Sequence, residues 1–154
     1  MPTEAEWEYA TRAGTAAAYF WGNDANQGCA YANGYDETGK RVKKNPSASL
    51  KCDDGAAQTT AVRSYRPNAF GLYDMSGNVL EWVQDCYHEN YNGAPNDSKE
   101  WRDHCYEGSR WPMLRGGSWS FTPTFLRSAK RYRLVSGRFG ADCIGFRVAR
   151  TLTH

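Results

Sequence analysis

The chain opens on a period close to helical. In PTEAEWEYATRAG, Ala5, Tyr9 and Ala10 mark a partly apolar face. Thr3 is placed to cap the N-terminus, Glu6 three residues on completes a capping box, and Gly14 suits the stop. The spacing predicts a helix here. YFWGN, from Tyr19 to Asn23, is a short apolar piece ending in a turn, and residues 34–60 are polar enough to predict a long loop. Further on, NAFGLYDMSGNVLEWVQDCY carries Phe70, Leu72, Met75, Val79, Leu80 and Trp82 as core candidates that follow neither period cleanly. Its GNVLEWVQD part predicts a short strand with Val79, Glu81 and Val83 on one side and Leu80 and Trp82 on the other. HENYNGAPNDSKEW predicts another polar loop. PMLRGGSW and IGFRVAR predict two strands framing the last loop, with Trp119, Leu126, Ile144 and Phe146 as core. No repeat or linker interrupts the 154 residues, so one domain is expected.

Composition sharpens this picture. Six Trp, ten Tyr and fifteen Gly suggest a loop-rich fold held by aromatic anchors. A net charge of +2 gives no electrostatic case for a nucleic-acid partner. Late arginines at Arg127, Arg131, Arg133, Arg138, Arg147 and Arg150 suit a solvated or ion-paired face. No apolar run approaches the roughly 20 residues of a membrane span. Met1 is followed at once by polar residues, not a signal peptide, and the chain is expected to be a fragment.

The chemistry-bearing residues are few. Cys29 and Cys52 flank one polar excursion, Cys86 and Cys105 another, and Cys143 is left over. Two local disulfides would each contribute roughly 3 kcal/mol and imply an oxidising, extracytoplasmic compartment. Five reduced thiols in a cytosolic protein are the alternative. His88, His104 and His154 are too scattered for a metal triad and are expected at the surface. In DMSGNVLEW, carboxylates at Asp74 and Glu81 bracket a glycine turn, and carbonyls at Gly77 and Val79 could share the side of Glu81. Such a mixed oxygen set suits Ca2+. Asp53 and Asp54 are a second acidic pair, ambiguous by themselves.

Taken together, PTEAEWEYATRAG, YFWGN, NAFGLYDMSGNVLEW, LRGGSW, LRSAKR and IGFRVAR resemble, in this order and over essentially the whole chain, formylglycine-generating-enzyme (sulfatase-modifying-factor) domains. The resemblance implies an α+β, loop-rich, C-type-lectin-like fold with little regular secondary structure, lacking the usual N-terminal portion. It implies structural Ca2+ ligands at Asp74, Gly77, Val79 and Glu81, and a second set at Asn33, Gly34, Asp54 and Ala56. It also implies where catalysis would sit. The family's oxidases bind Cu(I) through two cysteines after GGS, five residues apart, and here those positions are Phe121 and Leu126. Neither can ligate a soft metal, so no copper and no catalytic residue are expected.

Ergothioneine-pathway sulfoxide synthases add an iron-binding helical domain that is not found in this sequence. Variable proteins of diversity-generating retroelements are closer in layout, because they use this fold as a binding scaffold with variation between GGSW and GFR. The expectation is a non-catalytic module whose segment Ser120 to Asp142 contacts a protein or other macromolecular ligand. Its contact residues would be Ser120, Phe121, Thr122, Thr124, Phe125, Arg131, Tyr132, Arg133, Leu134, Arg138 and Phe139. A divergent formylglycine-generating oxidase, an accessory enzyme and a purely structural domain are the alternatives.

Overall fold

The computed structural model describes residues 1–44, 48–106, 112–133 and 142–150. Helix α1 spans Glu4–Arg12 and has the expected cap. Thr3 Oγ1 accepts from the Glu6 amide at 3.2 Å, and Glu6 Oε2 accepts from the Thr3 amide at 2.9 Å. The helix ends at Ala13, a left-handed residue with φ 46°. Its inward stripe is Glu4, Trp7, Glu8 and Thr11, at the i, i+3, i+4 and i+7 spacing of a helix face. Of the expected apolar face, Ala5 and Tyr9 are instead exposed, while Ala10 is half-buried against the Trp7 cluster. Polar residues occupy the buried stripe because the sheet below offers charged partners, described next.

Strand β1, Leu80–Cys86, sits at the centre of a four-stranded sheet in the order β3-β2-β1-β4. Strand β2, Pro112–Arg115, pairs antiparallel with it, setting Glu81 opposite Arg115 and Trp82 opposite Leu114. Strand β3, Tyr132–Arg133, extends β2 antiparallel, and β4, Ile144–Phe146, runs parallel to β1 on the other side. Arg115 has no exposed surface; its Nη1 lies 3.3 Å from Glu4 Oε1, its Nη2 bonds Glu8, and its guanidinium lies 5.2 Å from the Trp7 ring. Trp7 Nε1 donates to Glu81 at 2.7 Å.

Three apolar clusters surround this frame. Trp7, Met75, Val83 and Met113 pack under α1. Leu80 and Leu114 pack with Trp82, Phe121, Tyr132 and Ile144 across the sheet. Tyr19, Leu50 and Leu126 form the third, beside the Cys29–Cys52 disulfide. The second disulfide, Cys86–Cys105, closes the loop after β1.

Several expectations are corrected. Residues 34–60 contain a second helix, α2, Glu37–Lys43. The Asp36 carboxylate caps it by accepting from the Gly39 amide at 2.8 Å. Asp53 anchors it, accepting from Thr38 and Arg41, which together hold its carboxyl down at about 2. Phe70, Leu72 and Phe146 lie exposed, because their turn and edge-strand positions leave no layer above them. His88 is buried, since the disulfide draws its loop back over the end of β1.

At Gly77 the backbone has φ 76°, and a Cβ there would lie 2.1 Å from the Asn33 carbonyl oxygen. Gly77→Ala should therefore cost roughly 2–5 kcal/mol, combining left-handed strain with overpacking against a backbone bridge. Urea unfolding of the two proteins measures this; equal midpoints would contradict the contact.

Candidate functional site

The segment after β2 leaves the sheet through Gly116 and Gly117 and turns over the Leu80–Leu114 cluster. Phe121, Phe125 and Tyr132 form a three-ring group, with centroids 5.0, 5.5 and 6.0 Å apart. All three are half-buried, and Phe121 and Tyr132 pack on the Leu80–Leu114 core cluster. Ser120 and Ser118 share a hydroxyl contact at 3.2 Å, and Thr122 and Thr124 another at 3.1 Å, giving the rim a polar border. Lys130 Nζ sits 4.7 Å over Phe125.

The expected arginines are placed differently from one another. Arg131 is committed inward, donating to buried Glu4 at 2.8 and 3.1 Å and to the His88 carbonyl at 2.6 Å. Arg133 lies at the flank, 4.6 Å from the Tyr106 ring and 5.7 Å from Tyr87. Leu134, Arg138 and Phe139 lie outside the described residues.

The two positions where the resemblance would require cysteines are apolar packing residues. Leu126 is fully buried in the Tyr19–Leu50 cluster. It occupies a notch that exists because Gly34 has no side chain: a Cβ there would meet Leu126 Cδ1 at 2.5 Å. Phe121 packs on Phe125 and Tyr132. Cys143 is a half-buried free thiol, and burial, with Asp142 beside it, pushes it up and away from the thiolate form.

Asp74, Gly77, Val79 and Glu81 come together along one cavity of about 560 Å3. Asp74 Oδ2 accepts from the Arg63 amide at 2.7 Å, while its Oδ1 is buried with no hydrogen-bond partner. Glu81 is already neutralised: Arg147 Nε and Nη2 both reach it at 2.6 Å, and Arg147 also donates to the Asp74 carbonyl at 2.9 Å. A cation in this group would rely on Asp74 Oδ1 and carbonyl oxygens, sharing Glu81 with Arg147.

The second group is adjacent, because Asn33 and Gly77 form a backbone bridge. Asn33 Oδ1 is buried without a partner. Asp54 accepts from the Ala56 amide at 2.8 Å and the Tyr65 hydroxyl at 3.0 Å. Burial, with Asp36 beside it, pushes the Asp54 carboxyl up to about 6. An orphaned amide oxygen and two neighbouring acids form the donor chemistry a hard cation takes. Asp36 was missed from sequence, although an Asp ahead of ETGK is a legible helix cap. Arg147 was read as one of the late arginines of a solvated or ion-paired face; nothing local indicated that its partner is Glu81.

Few helices, a mixed sheet and long glycine- and aromatic-rich connections define a loop-rich α+β domain of the C-type-lectin-like, formylglycine-generating type. The chain belongs to the sulfatase-modifying factor enzyme 1-like domain family, whose model matches residues 1–152. It is 34% identical over 137 residues to a formylglycine-generating enzyme of Streptomyces coelicolor, covering 88% of this chain and 40% of that protein. Among solved structures it is similar to PvdO from Pseudomonas aeruginosa, with TM-score 0.73, 39% identity and coverage of 95% of this chain and 50% of that one. It is also similar to variable protein 1 of Treponema denticola, with TM-score 0.68, 27% identity and coverage of 95% and 45%. The chain thus spans about half the length of these solved structures, and 21% to 40% of the first curated relatives.

Rim and plug should separate on substitution. Leu126→Ala should cost about 2–5 kcal/mol, and Thr124→Ala should stay within about 0.5 kcal/mol. Denaturant unfolding measures both; a tolerant Leu126 would contradict its role as core.

Proposed function

We propose that this domain is a non-catalytic binding module that presents the 120–142 segment to a protein or other macromolecular partner. The observation that carries this reading is Leu126, a core plug at a position where the family's oxidases need a thiolate. With Phe121 beside it in an aromatic cluster, this segment has no soft-metal ligand and no thiol pair to exchange. What it offers is half-buried aromatic edges bordered by hydroxyls and cations, the residue types that dominate recognition surfaces. The likeness to a protein named variable protein 1 supports a narrower form, in which the segment is diversified by a retroelement. No helix among the described residues is long and apolar enough to cross a membrane. Two disulfides support an extracytoplasmic location.

The oxidase reading makes a different prediction. A Cu(I)-dependent oxidation assay on a Cys-x-Pro-x-Arg peptide should show no turnover; aldehyde formation would overturn the binding reading. A reverse-transcriptase gene next to a near-repeat of the 120–142 coding region is the outcome expected for the diversified form.

Structural Ca2+ completes the proposal, held by Asn33, Gly34, Asp54 and Ala56 and by Asp74, Gly77, Val79 and Glu81. Free Ca2+ at a hundredfold excess over Kd should stabilise the fold by about 2.7 kcal/mol per site. Thermal melts with Ca2+ and with a chelator measure this, and Asp54→Asn should shrink the difference. Identical melting temperatures would remove Ca2+ from the account.

A further inference from the structure

We propose that Cys86, His88 and Cys105 form a redox-gated zinc site, in which reduction of the Cys86–Cys105 disulfide exchanges a covalent closure for a metal closure. The site is separate from the binding segment and from the calcium groups. Cys86 is the last residue of β1 and is buried; His88 follows two residues later and is also buried; Cys105 returns at the far end of the loop. The two sulfurs and a ring nitrogen of His88 all lie within 4.8 Å of one another, with Cys86 Sγ 3.9 Å from Nε2. Zinc takes Cys sulfur at about 2.3 Å and His nitrogen at about 2.0–2.1 Å, so small side-chain shifts would bring three such atoms onto one ion.

The environment of His88 points the same way. Its Nδ1 lies 3.1 Å from the Cys86 carbonyl oxygen and its Nε2 lies 2.7 Å from the Asp103 carbonyl oxygen. The two carbonyls hold the ring by its two edges, with Nε2 the nitrogen turned toward Cys86 Sγ. With Nδ1–H donating to Cys86, the ring has the outer hydrogen bond that usually orients a metal-binding histidine. Trp101 stacks on the ring at 3.4 Å and 5°, fixing its plane. Two thiolates and Nε2 then supply three donors, leaving the fourth position of a tetrahedral zinc to water.

Access is open from one side. A cavity of about 350 Å3, lined by Val83, Gln84, Asp85 and Arg102, reaches both cysteines. A small dithiol entering there gives two electrons and two protons to the disulfide and becomes a disulfide itself. Zinc binding then displaces the two thiol protons to solvent. The closure matters to the binding face. The closed loop carries Tyr87 and Tyr91, and Tyr106 follows it, and these rings pack on Arg131 and Arg133. Reduction without zinc releases that flank, and zinc restores it.

The test uses the full chain, with a phosphine as reductant because it does not compete for zinc. After reduction, addition of ZnCl2 and desalting, metal analysis should find one zinc per chain, and none without reduction. The Cys143→Ser and Cys29→Ser/Cys52→Ser proteins should keep it. Cys105→Ser should lose it, and His88→Ala should bind at least tenfold more weakly. In the reduced wild-type protein, zinc should protect Cys86 and Cys105 from alkylation while leaving Cys143 reactive, a readout independent of any variant's folding. Absence of bound zinc, an unchanged affinity in His88→Ala, or protection mapping to other cysteines would overturn the proposal.

Discussion

A guanidinium with no exposed surface organises this molecule. Arg115, at the end of β2, sits opposite Glu81 in the sheet, beneath Trp7, and against Glu4 and Glu8 of α1; it also donates to the Ser128 carbonyl at 2.9 Å. Removing a charge from water costs several kcal/mol, and the cost is offset only when partners and hydrogen bonds are well placed. The helix face must therefore present carboxylates at one register on the sheet. Arg131 adds a second guanidinium to Glu4 and Arg12 a second to Glu8, so three cations and two carboxylates meet in one cluster. A purely apolar face would tolerate sliding; this one does not.

That constraint also positions the proposed binding segment. The chain enters it from β2 just after Arg115 and passes through Arg131, and both arginines are tied to Glu4. Between them Leu126 is driven into the core and Phe121 packs on the Leu80–Leu114 cluster, with Tyr132 of β3 beside it. The exposed Thr124 hydroxyl is carried by a frame that does not depend on its identity. A scaffold of this kind can change exposed rim residues without losing its fold, which is what the proposed binding role requires.

How much of this was legible in the sequence depends on the range of the interaction. Thr3 and Glu6 formed the capping box expected, because a cap is a contact across three residues. Both disulfides joined the cysteines that flank local loops. The inward face of α1 was not legible, because hydropathy reads Glu4 and Glu8 as solvent-facing and the buried Arg115 they share is more than a hundred residues away. ETGKRVK passed for loop because its helix depends on Asp36 and Asp53 rather than on an apolar stripe. In the candidate sites, Asp74, Gly77, Val79 and Glu81 were legible as neighbours from turn spacing. The pairing of Glu81 with Arg147 spans a separation that no local pattern reports.

A double-mutant cycle between Glu4 and Arg115 tests the central constraint most directly. Glu4→Gln and Arg115→Met, alone and together, are compared by urea unfolding of the otherwise unaltered chain. Each single change should cost about 3–5 kcal/mol, and the pair should cost at least about 1 kcal/mol less than the sum, because the second removes a charge already stranded. Additivity within about 0.5 kcal/mol would show that the two groups do not depend on each other and would contradict the account.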